Sequence, residues 1–335
     1  MDEAPAARLE RLIVGFQVSQ AIHVAAVLGI ADLLADGPRT SDELAAQTDA
    51  NPGSLYRLLR ALASVGVFHE EGGRRFALTP VGESLRSDVP GSLRGWAAFV
   101  GRPYFREAWS QLEHSIRTGE NAFQYVHGTD VWSYRAERPE ESVIFDLAME
   151  ALTGASNRAL LDAYDFSRFG TVIDIGGGNG VLLAALLTEY PTMQGIVFDQ
   201  PHVVANAEAV LQARGVADRC RVVGGSFFEE VPAGGDAYAM KSIIHDWDDE
   251  PATEILRTCR RAMAEEARLL LIERIVGPPN EDPRTKFGDL NMLVAPAGRE
   301  RTIEEWEALL KSAGFRLVEV TPTASGLAVI EAAPA

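Results

Sequence analysis

The alternation of hydrophobic and polar positions divides the chain into a helical first part and a second part in which strands and helices alternate. Over residues 6–35, apolar side chains such as Leu9 and Phe16 recur at helical spacing. From residue 170 onward, short apolar stretches that predict strands alternate with amphipathic stretches that predict helices. This pattern is typical of a doubly wound, mainly parallel sheet, and the stretch 315–332 predicts two strands that pair antiparallel at one edge.

Two short helices and a hairpin are predicted within the first 100 residues. Thr40 and Glu43 have the spacing of a capping box, and Asn51-Pro52 is the pattern of an N-cap followed by proline at the first helical position. The stretch 67–80 has two apolar segments around an acidic Gly-Gly turn, which predicts a β-hairpin. Helix, helix and hairpin in this order predict a winged-helix-like domain.

The balance of charge argues against nucleic acid as a partner of this first domain. Between Thr40 and Pro90 there are five arginines and seven acidic residues, and the chain of 335 residues carries 31 basic against 48 acidic ones, a net charge of −17. DNA-binding domains concentrate basic side chains on one face, and so acidic a surface also repels anionic membranes. We therefore predict a packing or dimerisation module, with a DNA-binding regulator as the less favoured alternative.

The middle of the chain, residues 91–165, is predicted to be mostly helical and is rich in aromatic residues. Among them are Trp96, Phe99, Tyr104, Phe105, Trp109, Phe123, Tyr125, Trp132 and Tyr134. Each can belong to a core or line an apolar substrate pocket. We predict three parts: a helical, winged-helix-like dimerisation domain over 1–100, a helical linker over 101–165 that contributes to the pocket, and a cofactor-binding domain over 166–335.

The segment TVIDIGGGNG, residues 171–180, places four glycines directly after the first predicted strand of the second part. Ligands of doubly wound sheets bind beyond the carboxyl ends of the strands. Asp174 precedes Gly176 and Gly178, and a carboxylate there disfavours the diphosphate of a dinucleotide but suits a ligand with an ammonium group. S-adenosylmethionine, which carries an ammonium and a sulfonium, meets this requirement; a tight structural turn is the alternative.

Two further positions follow the next two predicted strands. Asp199 ends the stretch IVFDQP, where a carboxylate can accept both hydroxyls of a ribose. Ser226 and Phe227 follow the third strand, where the edge and the face of an adenine can be read. Together with Asp174, these residues favour a nucleoside cofactor over a purely structural loop.

The segment HDWDDEP, residues 245–251, contains a histidine and four acids that could suggest a metal site. Acids at 248–250 suit the first turn of the following helix instead, so we predict no metal. His245 follows a predicted strand, and Glu273 and Glu300 lie where they can converge on it. A histidine paired with carboxylates is a general-base arrangement, with a structural histidine as the alternative.

These motifs together resemble the S-adenosylmethionine-dependent O-methyltransferases typified by plant caffeic acid O-methyltransferase, a family that includes bacterial antibiotic-pathway enzymes. The resemblance rests on the segments VIDIGGGNG, FDQP, GGSFFE, MKSIIHDWDDE and GRERTIEEWEALLKSAGF and covers almost the whole chain. It implies a Rossmann-like class I methyltransferase sheet with an antiparallel C-terminal hairpin, beside a mainly helical dimerisation domain. It also implies a homodimer.

For the cofactor, the resemblance implies that Gly176 and its neighbours hold the methionyl part and that Asp199 binds the ribose. Ser226 and Phe227 would lie against adenine, and Lys241 would also contact the cofactor. The family often has Asp where this chain has Ser226, so the adenine contact here lacks a charge.

For the reaction, the resemblance implies that His245 is the general base and that Glu273 and Glu300 are the acids flanking it. Residues implied to contact the substrate are Met149, Asp289 and Asn291. Our hypothesis is that His245 takes a proton from a phenolic hydroxyl of a small aromatic natural product while the oxygen attacks the cofactor methyl group. The alternatives are a same-fold enzyme that uses the cofactor without methyl transfer, as a decarboxylase, hydroxylase or cyclase, and a cofactor-sensing regulator.

The location of the protein is predicted from what the sequence lacks. The first residues show neither the basic nor the apolar region of a signal peptide. No stretch approaches the roughly 20 apolar residues that span a bilayer, and the two cysteines, Cys220 and Cys259, have no paired spacing. We predict a cytoplasmic protein without a disulfide framework.

Overall fold

A computed structural model describes residues 4–335, with the side chains of all of these except 150 and 153–155. The helices are α1 Pro5–Ile13, α2 Gly15–Val27, α3 Ile30–Leu33, α4 Ser41–Thr48, α5 Pro52–Ser64, α6 Pro80–Glu83, α7 Arg94–Val100, α8 Pro103–Ser110, α9 Leu112–Thr118, α10 Ala122–His127, α11 Val131–Ala136, α12 Pro139–Ala163, α13 Val181–Glu189, α14 Ala207–Ala213, α15 Asp249–Ala262, α16 Pro283–Val294 and α17 Ile303–Ser312. The strands are β1 Arg39–Thr40, β2 Phe68–Glu71, β3 Arg75–Leu78, β4 Thr171–Ile175, β5 Gln194–Asp199, β6 Cys220–Gly224, β7 Ala237–Lys241, β8 Arg268–Glu273, β9 Phe315–Pro322 and β10 Ala328–Pro334. They belong to two compact units.

The first unit comprises the residues up to Glu107 together with Arg135–Gly154. The single helix predicted over residues 6–35 is instead three helices, α1 to α3. Gly29, which precedes α3, has a φ of 65°, a left-handed conformation that ends the helical path and that glycine adopts without a steric penalty. Apolar spacing alone does not reveal such a break.

The winged-helix-like prediction for this unit is confirmed. The side chain of Thr40 accepts a hydrogen bond from the Glu43 N–H and that of Glu43 reciprocates, so the predicted capping box starts α4. Asn51 caps α5 with Pro52 at its first position. The strands form a three-stranded sheet in the order β1-β3-β2, and Phe76 of β3 is fully buried against helices α4 and α5.

The second unit comprises Ala108–Tyr134 and Ala155–Ala335. Its seven-stranded sheet has the order β6-β5-β4-β7-β8-β10-β9. Strands β4 to β8 pair in parallel, and β10 pairs antiparallel with both β8 and β9. The predicted parallel sheet with an antiparallel C-terminal hairpin is therefore confirmed. The order reverses between β4 and β7, which makes their carboxyl ends the switch point where ligands of such sheets bind.

Apolar layers cover both faces of this sheet. This burial on both sides explains why the sequences of its strands are nearly continuous apolar runs. On one face, Ile173 and Leu269 pack with Trp306 of α17. On the other face, Val172 and Leu270 pack with helices α13 and α14. The strands are therefore buried on both faces, and the loops at their carboxyl ends begin from this packed sheet.

Helix α16 is an element that the hydrophobic pattern did not predict, because its apolar residues do not lie on one clear face. Its start is nevertheless encoded locally: the Asp282 side chain accepts a hydrogen bond from the Thr285 N–H, and Pro283 occupies the first helical position. Across residues 4–335, none of the helices combines the length and the apolar character that crossing a membrane requires.

Candidate active site

The glycine-rich loop begins where β4 ends, at the switch point of the sheet. Gly176 and Gly178 have φ values of 69° and 57°, in the left-handed region that favours glycine. A Cβ atom at Gly176 would lie 2.4 Å from the Ile243 side chain. The loop therefore depends on glycine both for its conformation and for the close approach of the segment that follows β7.

Asp174 is buried next to this loop, with 1% of its surface exposed. Its Oδ2 atom has no hydrogen-bond partner within the described part of the chain, and a Cβ at Gly177 would lie 2.8 Å from it. Burial raises the pKa of the Asp174 carboxyl to about 7, although the positive charge of Lys241 opposes this rise. A cationic group at the loop would supply the missing hydrogen bond.

Asp199 ties the same loop to the end of β5. Its Oδ2 accepts a hydrogen bond from the Gly178 N–H at 2.9 Å, and its Oδ1 accepts one from the Gln200 N–H at 2.7 Å. Burial raises the pKa of this carboxyl, and the two N–H donors oppose the rise. Each oxygen keeps a lone pair, so Asp199 can still accept hydrogen bonds from vicinal hydroxyls.

Lys241 ends β7, on the other side of the switch point. Its Nζ atom donates to Ser156 Oγ at 2.7 Å and to Asn157 Oδ1 at 2.5 Å, both on α12. Burial lowers the pKa of the Lys241 ammonium to about 8, and Asp174 opposes this effect. Sequence analysis did not identify Ser156 and Asn157, because no motif relates a helix so far upstream to the sheet.

The segment after β6 forms an aromatic cluster. Ser226 Oγ accepts a hydrogen bond from the Phe228 N–H at 3.3 Å, which closes a turn. The rings of Phe227 and Phe228 both meet Trp247 edge-on, with centroids 6.1 Å and 4.8 Å apart. Trp247 therefore joins this segment to the histidine loop.

The loop that carries His245 follows β7 and is held through its backbone. Glu273, fully buried at the end of β8, accepts hydrogen bonds on Oε1 from the N–H groups of Ile243 and Ile244 at 3.0 Å and 2.9 Å. The Arg299 N–H donates to the His245 carbonyl at 2.9 Å. Two separate parts of the sequence thus fix the position of this one residue.

The imidazole of His245 is surrounded by three carboxylates. Its Nδ1 lies 3.0 Å from Glu300 Oε1, a hydrogen bond, and 3.8 Å from Glu273 Oε2. Its Nε2 lies 3.6 Å from Asp246 Oδ1, beyond hydrogen-bond distance. Because a carboxylate only accepts, Nδ1 carries the proton of this hydrogen bond, and Nε2 is the nitrogen left for another molecule.

The pKa values of both His245 and Glu273 are raised, for different reasons. Burial opposes a charged imidazole, but Glu273, Asp246 and Glu300 together outweigh it and raise the pKa of His245 to about 10. Burial also raises the pKa of Glu273 to about 7, against the influence of His245. The surrounding carboxylates therefore favour the protonated imidazole at neutral pH.

The loop before α17 supplies Glu300 and is anchored on two sides. Asp289, on α16, accepts a hydrogen bond on Oδ1 from the Glu300 N–H at 2.9 Å. A Cβ at Gly298 would lie 1.9 Å from the His245 carbonyl oxygen, so only glycine allows this approach. Asp289, which the family resemblance implied to be a substrate contact, thus has a clear role in holding Glu300.

Arg301 is fully buried and clamps the same loop. Its guanidinium donates to the carbonyl oxygens of Ile244 and Trp247 at 3.4 Å and 2.9 Å, on either side of His245. It also donates to Asp249 Oδ1 through Nε and Nη2, at 3.0 Å and 2.8 Å. Asp249, one of the acids at the start of α15, is thereby engaged in an ion pair.

Asn291 lies half-buried on α16, and the indole N–H of Trp109 donates to its Oδ1 at 3.1 Å. Met149 is half-buried on α12, in the first unit, and its predicted substrate contact stays a prediction. The sequence offered no signal for the Trp109–Asn291 pair or for Arg301, because their contacts join distant segments.

Two family models match this chain. Residues 109–316 match a family model described as an O-methyltransferase domain, and residues 10–88 match an O-methyltransferase dimerisation domain. Phenazine O-methyltransferase PhzM of Lysobacter antibioticus is 47% identical over 327 residues, which cover 97% of this chain and 95% of that protein.

Solved structures match this chain in fold, and one of those described here contains bound ligands. The crystal structure of LaPhzM matches with a TM-score of 0.95 and 46% identity over 98% of this chain and 99% of that one. The O-methyltransferase NcsB1 from neocarzinostatin biosynthesis, solved in complex with S-adenosylmethionine and 2-hydroxy-5-methyl naphthoic acid, matches with a TM-score of 0.82 and 34% identity over 95% and 96% of the two chains. With its glycine loop at the switch point and a histidine among carboxylates beside it, the chain belongs to the S-adenosylmethionine-dependent O-methyltransferase family.

Proposed function

We propose that this enzyme methylates a phenolic hydroxyl of a small aromatic natural product, with His245 as the base. The observation that carries this proposal is the 3.0 Å hydrogen bond between His245 Nδ1 and Glu300 Oε1. It fixes the ring so that Nε2 of the neutral form offers a lone pair to a hydroxyl. Relatives whose names refer to phenazine, O-demethylpuromycin and mitomycin support an aromatic substrate.

The residues around the glycine loop fit S-adenosylmethionine, which supplies an electrophilic methyl group on a positively charged sulfur. Asp174 has a buried oxygen without a partner among the residues described, and an ammonium donor would satisfy it. Asp199 keeps lone pairs for the ribose hydroxyls. Gly176 and Gly178 let the backbone approach closely.

The remaining cofactor contacts in this proposal come from the other two strand ends. Ser226 keeps its own proton and a lone pair for the adenine edge, and Phe227 offers an aromatic face. Lys241, held by two α12 side chains, keeps positive charge near Asp174 and limits the rise of the Asp174 pKa.

The three carboxylates around His245 set the proton balance of the reaction. Moving a proton from a phenol, with a pKa of about 10, to an unperturbed histidine, with a pKa of about 6.5, is uphill by about 5 kcal/mol. Because the pKa of His245 is raised to about 10, the same transfer within this site is nearly balanced. The consequence is that His245 must lose its proton before a neutral phenol can react, so turnover rises with pH.

The test of the base is His245→Ala. We expect turnover to fall roughly 100-fold or more, while S-adenosylmethionine affinity measured by calorimetry stays within about twofold of the wild type, since the proposed cofactor residues are untouched. His69→Ala, an exposed position on β2, is the matched control. Wild-type turnover in His245→Ala would remove His245 from the mechanism.

The product decides between methyl transfer and the same-fold alternatives. Mass spectrometry should show the methyl ether of the acceptor, heavier than the acceptor by one CH2 unit, together with stoichiometric S-adenosylhomocysteine. A changed acceptor with the cofactor unconsumed would instead favour a decarboxylase, hydroxylase or cyclase.

The proposed assembly is a homodimer, formed through the dimerisation domain. Large apolar side chains on α1 and at the start of α2 are exposed, among them Leu12 at 64% and Phe16 at 55%. Neighbouring exposed apolar side chains of this kind are typical of a protein interface. Leu12→Glu with Phe16→Glu should give a monomer in light scattering at micromolar concentration, whereas Val318→Glu, an exposed site on β9, should not. A wild-type monomer would refute the proposal.

A further inference from the structure

We propose that Ser156 and Asn157 are positioning residues that hold the Lys241 ammonium apart from Asp174, and so keep the Asp174 carboxyl open for the ammonium group of the cofactor. Without these two residues, the lysine of the protein itself would pair with the acid and compete with the ligand. This inference rests on the proposed role of Asp174. It adds a reason why a buried acid close to a lysine stays without a partner.

Asp174 and Lys241 project from the same face of the sheet. Strands β4 and β7 are parallel neighbours in which Asp174 is paired with Ala239. Lys241 lies two residues beyond Ala239, and it shares a face with Asp174 because side chains alternate between the two faces of a strand. The spacing and rise of strands place the two Cα atoms about 8 Å apart. The lysine side chain is long enough to reach the acid, so the sheet geometry favours a direct ion pair.

The structure shows a different contact for the lysine. Among the residues described, no hydrogen bond or ion pair joins Lys241 to Asp174, and Asp174 Oδ2 has no partner. Lys241 Nζ donates instead to Ser156 Oγ at 2.7 Å and to Asn157 Oδ1 at 2.5 Å. An ammonium has three donor hydrogens, and these contacts direct two of them to α12. The lysine is therefore held by α12 and not by the acid.

The Asn157 amide is fixed at both of its ends. An ammonium only donates, so Lys241 binds the carbonyl oxygen, and Nδ2 donates to the Val181 carbonyl oxygen at 3.4 Å, where α13 begins. Ser156 and Asn157 are buried, with 7% and 4% of their surfaces exposed. Leu160 of the same helix lies in the apolar layer on this face of the sheet. The two acceptors thus belong to a packed helix and do not follow the lysine side chain.

As a result, Asp174 lies near a positive charge but is not neutralised by it. Lys241 opposes the rise in the Asp174 pKa and Asp199 favours it, and burial keeps the pKa raised to about 7. A direct ion pair with Lys241 would lower this pKa by about one to three pH units. It would also satisfy the free Asp174 oxygen, so a cationic ligand would have to displace the lysine before it could bind.

The test removes both acceptors in a Ser156→Ala/Asn157→Leu double variant and measures ligand binding by calorimetry. S-adenosylhomocysteine carries the ammonium group, whereas methylthioadenosine lacks it. We expect the Kd of S-adenosylhomocysteine to rise about tenfold or more, because Lys241 is then free to pair with Asp174. The Kd of methylthioadenosine should stay within about twofold of the wild type. Gln212→Leu makes the same amide-to-leucine change at an exposed position on α14 and should keep both Kd values.

A Lys241→Met background separates this role from a direct contact with the cofactor. Without an ammonium, no group closes onto Asp174, so adding the double variant should change the Kd of S-adenosylhomocysteine by less than about twofold. A tenfold loss that persists in this background would overturn the inference, as would equal losses for both ligands. If the double variant does not fold, Ser156→Ala alone should raise the Kd about threefold, and a Kd that stays at the wild-type value would overturn the inference.

A crystal structure of the ligand-free double variant distinguishes this inference from the proposed function. Lys241 Nζ within hydrogen-bond distance of the Asp174 carboxyl would support the positioning role of Ser156 and Asn157. It would do so even if Asp174→Asn bound S-adenosylmethionine as tightly as the wild type, a result that would remove Asp174 from the proposed cofactor site. Lys241 Nζ still directed to α12 would overturn the inference.

Discussion

Replacing Glu300 by Gln isolates the charge beside the imidazole from the hydrogen bond. The amide oxygen of Gln can still accept from His245 Nδ1, but the negative charge 3.0 Å away is lost. At an effective dielectric constant of about 20, two unit charges at this distance attract by about 5 kcal/mol, which is an upper limit because the His245 side chain keeps 14% of its exposure. Carboxylates this close typically move a pKa by about one to three pH units.

The sign of the change follows from the role of the carboxylate. Glu300 stabilises the imidazolium, so its neutralisation lowers the pKa of His245 from its raised value of about 10. In the wild type, kcat/KM for the phenol should rise with pH, about tenfold per pH unit, until His245 is neutral. In Glu300→Gln this rise should move to lower pH by about one to three units. The plateau should fall about 10-fold to 100-fold, because the imidazole is a weaker base.

The assay is S-adenosylhomocysteine release between pH 6 and pH 10 at saturating cofactor. We expect the loss of activity to be largest at high pH and smallest near pH 6, where the lower pKa partly compensates for the weaker base. Glu307→Gln, an exposed position on α17, is the matched control and should follow the wild-type profile. A uniform loss at every pH, with the midpoint unchanged, would mean that Glu300 positions the ring without setting its pKa.

Three further predictions concern the cofactor site and the histidine loop. Since the pKa of Asp174 is raised to about 7, its carboxyl is protonated below that pH. The affinity for S-adenosylmethionine, measured by calorimetry, should therefore weaken from pH 7.5 to pH 6. The Asp174→Asn variant should bind the cofactor about tenfold more weakly and should lose this pH dependence. In Arg301→Lys, the lysine cannot reproduce the hydrogen bonds that Arg301 donates to the carbonyl oxygens of Ile244 and Trp247. This variant should lower the free energy of unfolding in urea by about 2 kcal/mol and lower kcat by about tenfold. An unchanged kcat would show that Arg301 contributes only to stability. Gly176→Ala would place a Cβ atom at a left-handed φ and 2.4 Å from the Ile243 side chain. This variant should lower the free energy of unfolding, measured in urea, by about 2 kcal/mol or more. A free energy of unfolding equal to that of the wild type would argue against a rigid loop.

Local sequence patterns predicted most elements of the fold. The capping box of Thr40 and Glu43, the Asn51 cap and the apolar runs of β4, β5 and β8 act over a few residues, so each can be recognised without knowing what packs around it. The same reasoning failed where a local pattern was ambiguous. Apolar spacing did not show the break at Gly29, and α16 lacks a clear apolar face.

For the site, the sequence by itself determined which chemical groups are present and at which strand ends they stand. The order of strands and loops places Asp174, Asp199 and His245 at one edge of a parallel sheet, because the carboxyl ends of parallel strands meet there. That placement predicts a nucleoside cofactor and a base at this edge of the sheet.

Only the tertiary structure decided how these groups act on one another. It gives the two glutamates different contacts. Glu300 accepts a hydrogen bond from the His245 imidazole, whereas Glu273 accepts one from the backbone of the histidine loop and adds negative charge. It also reveals the burial that raises the pKa of Asp174, and the Trp109 contact that orients Asn291. Distances, burial and the direction of a hydrogen bond depend on residues far apart in the chain, and a linear pattern contains no information about them until the chain has folded.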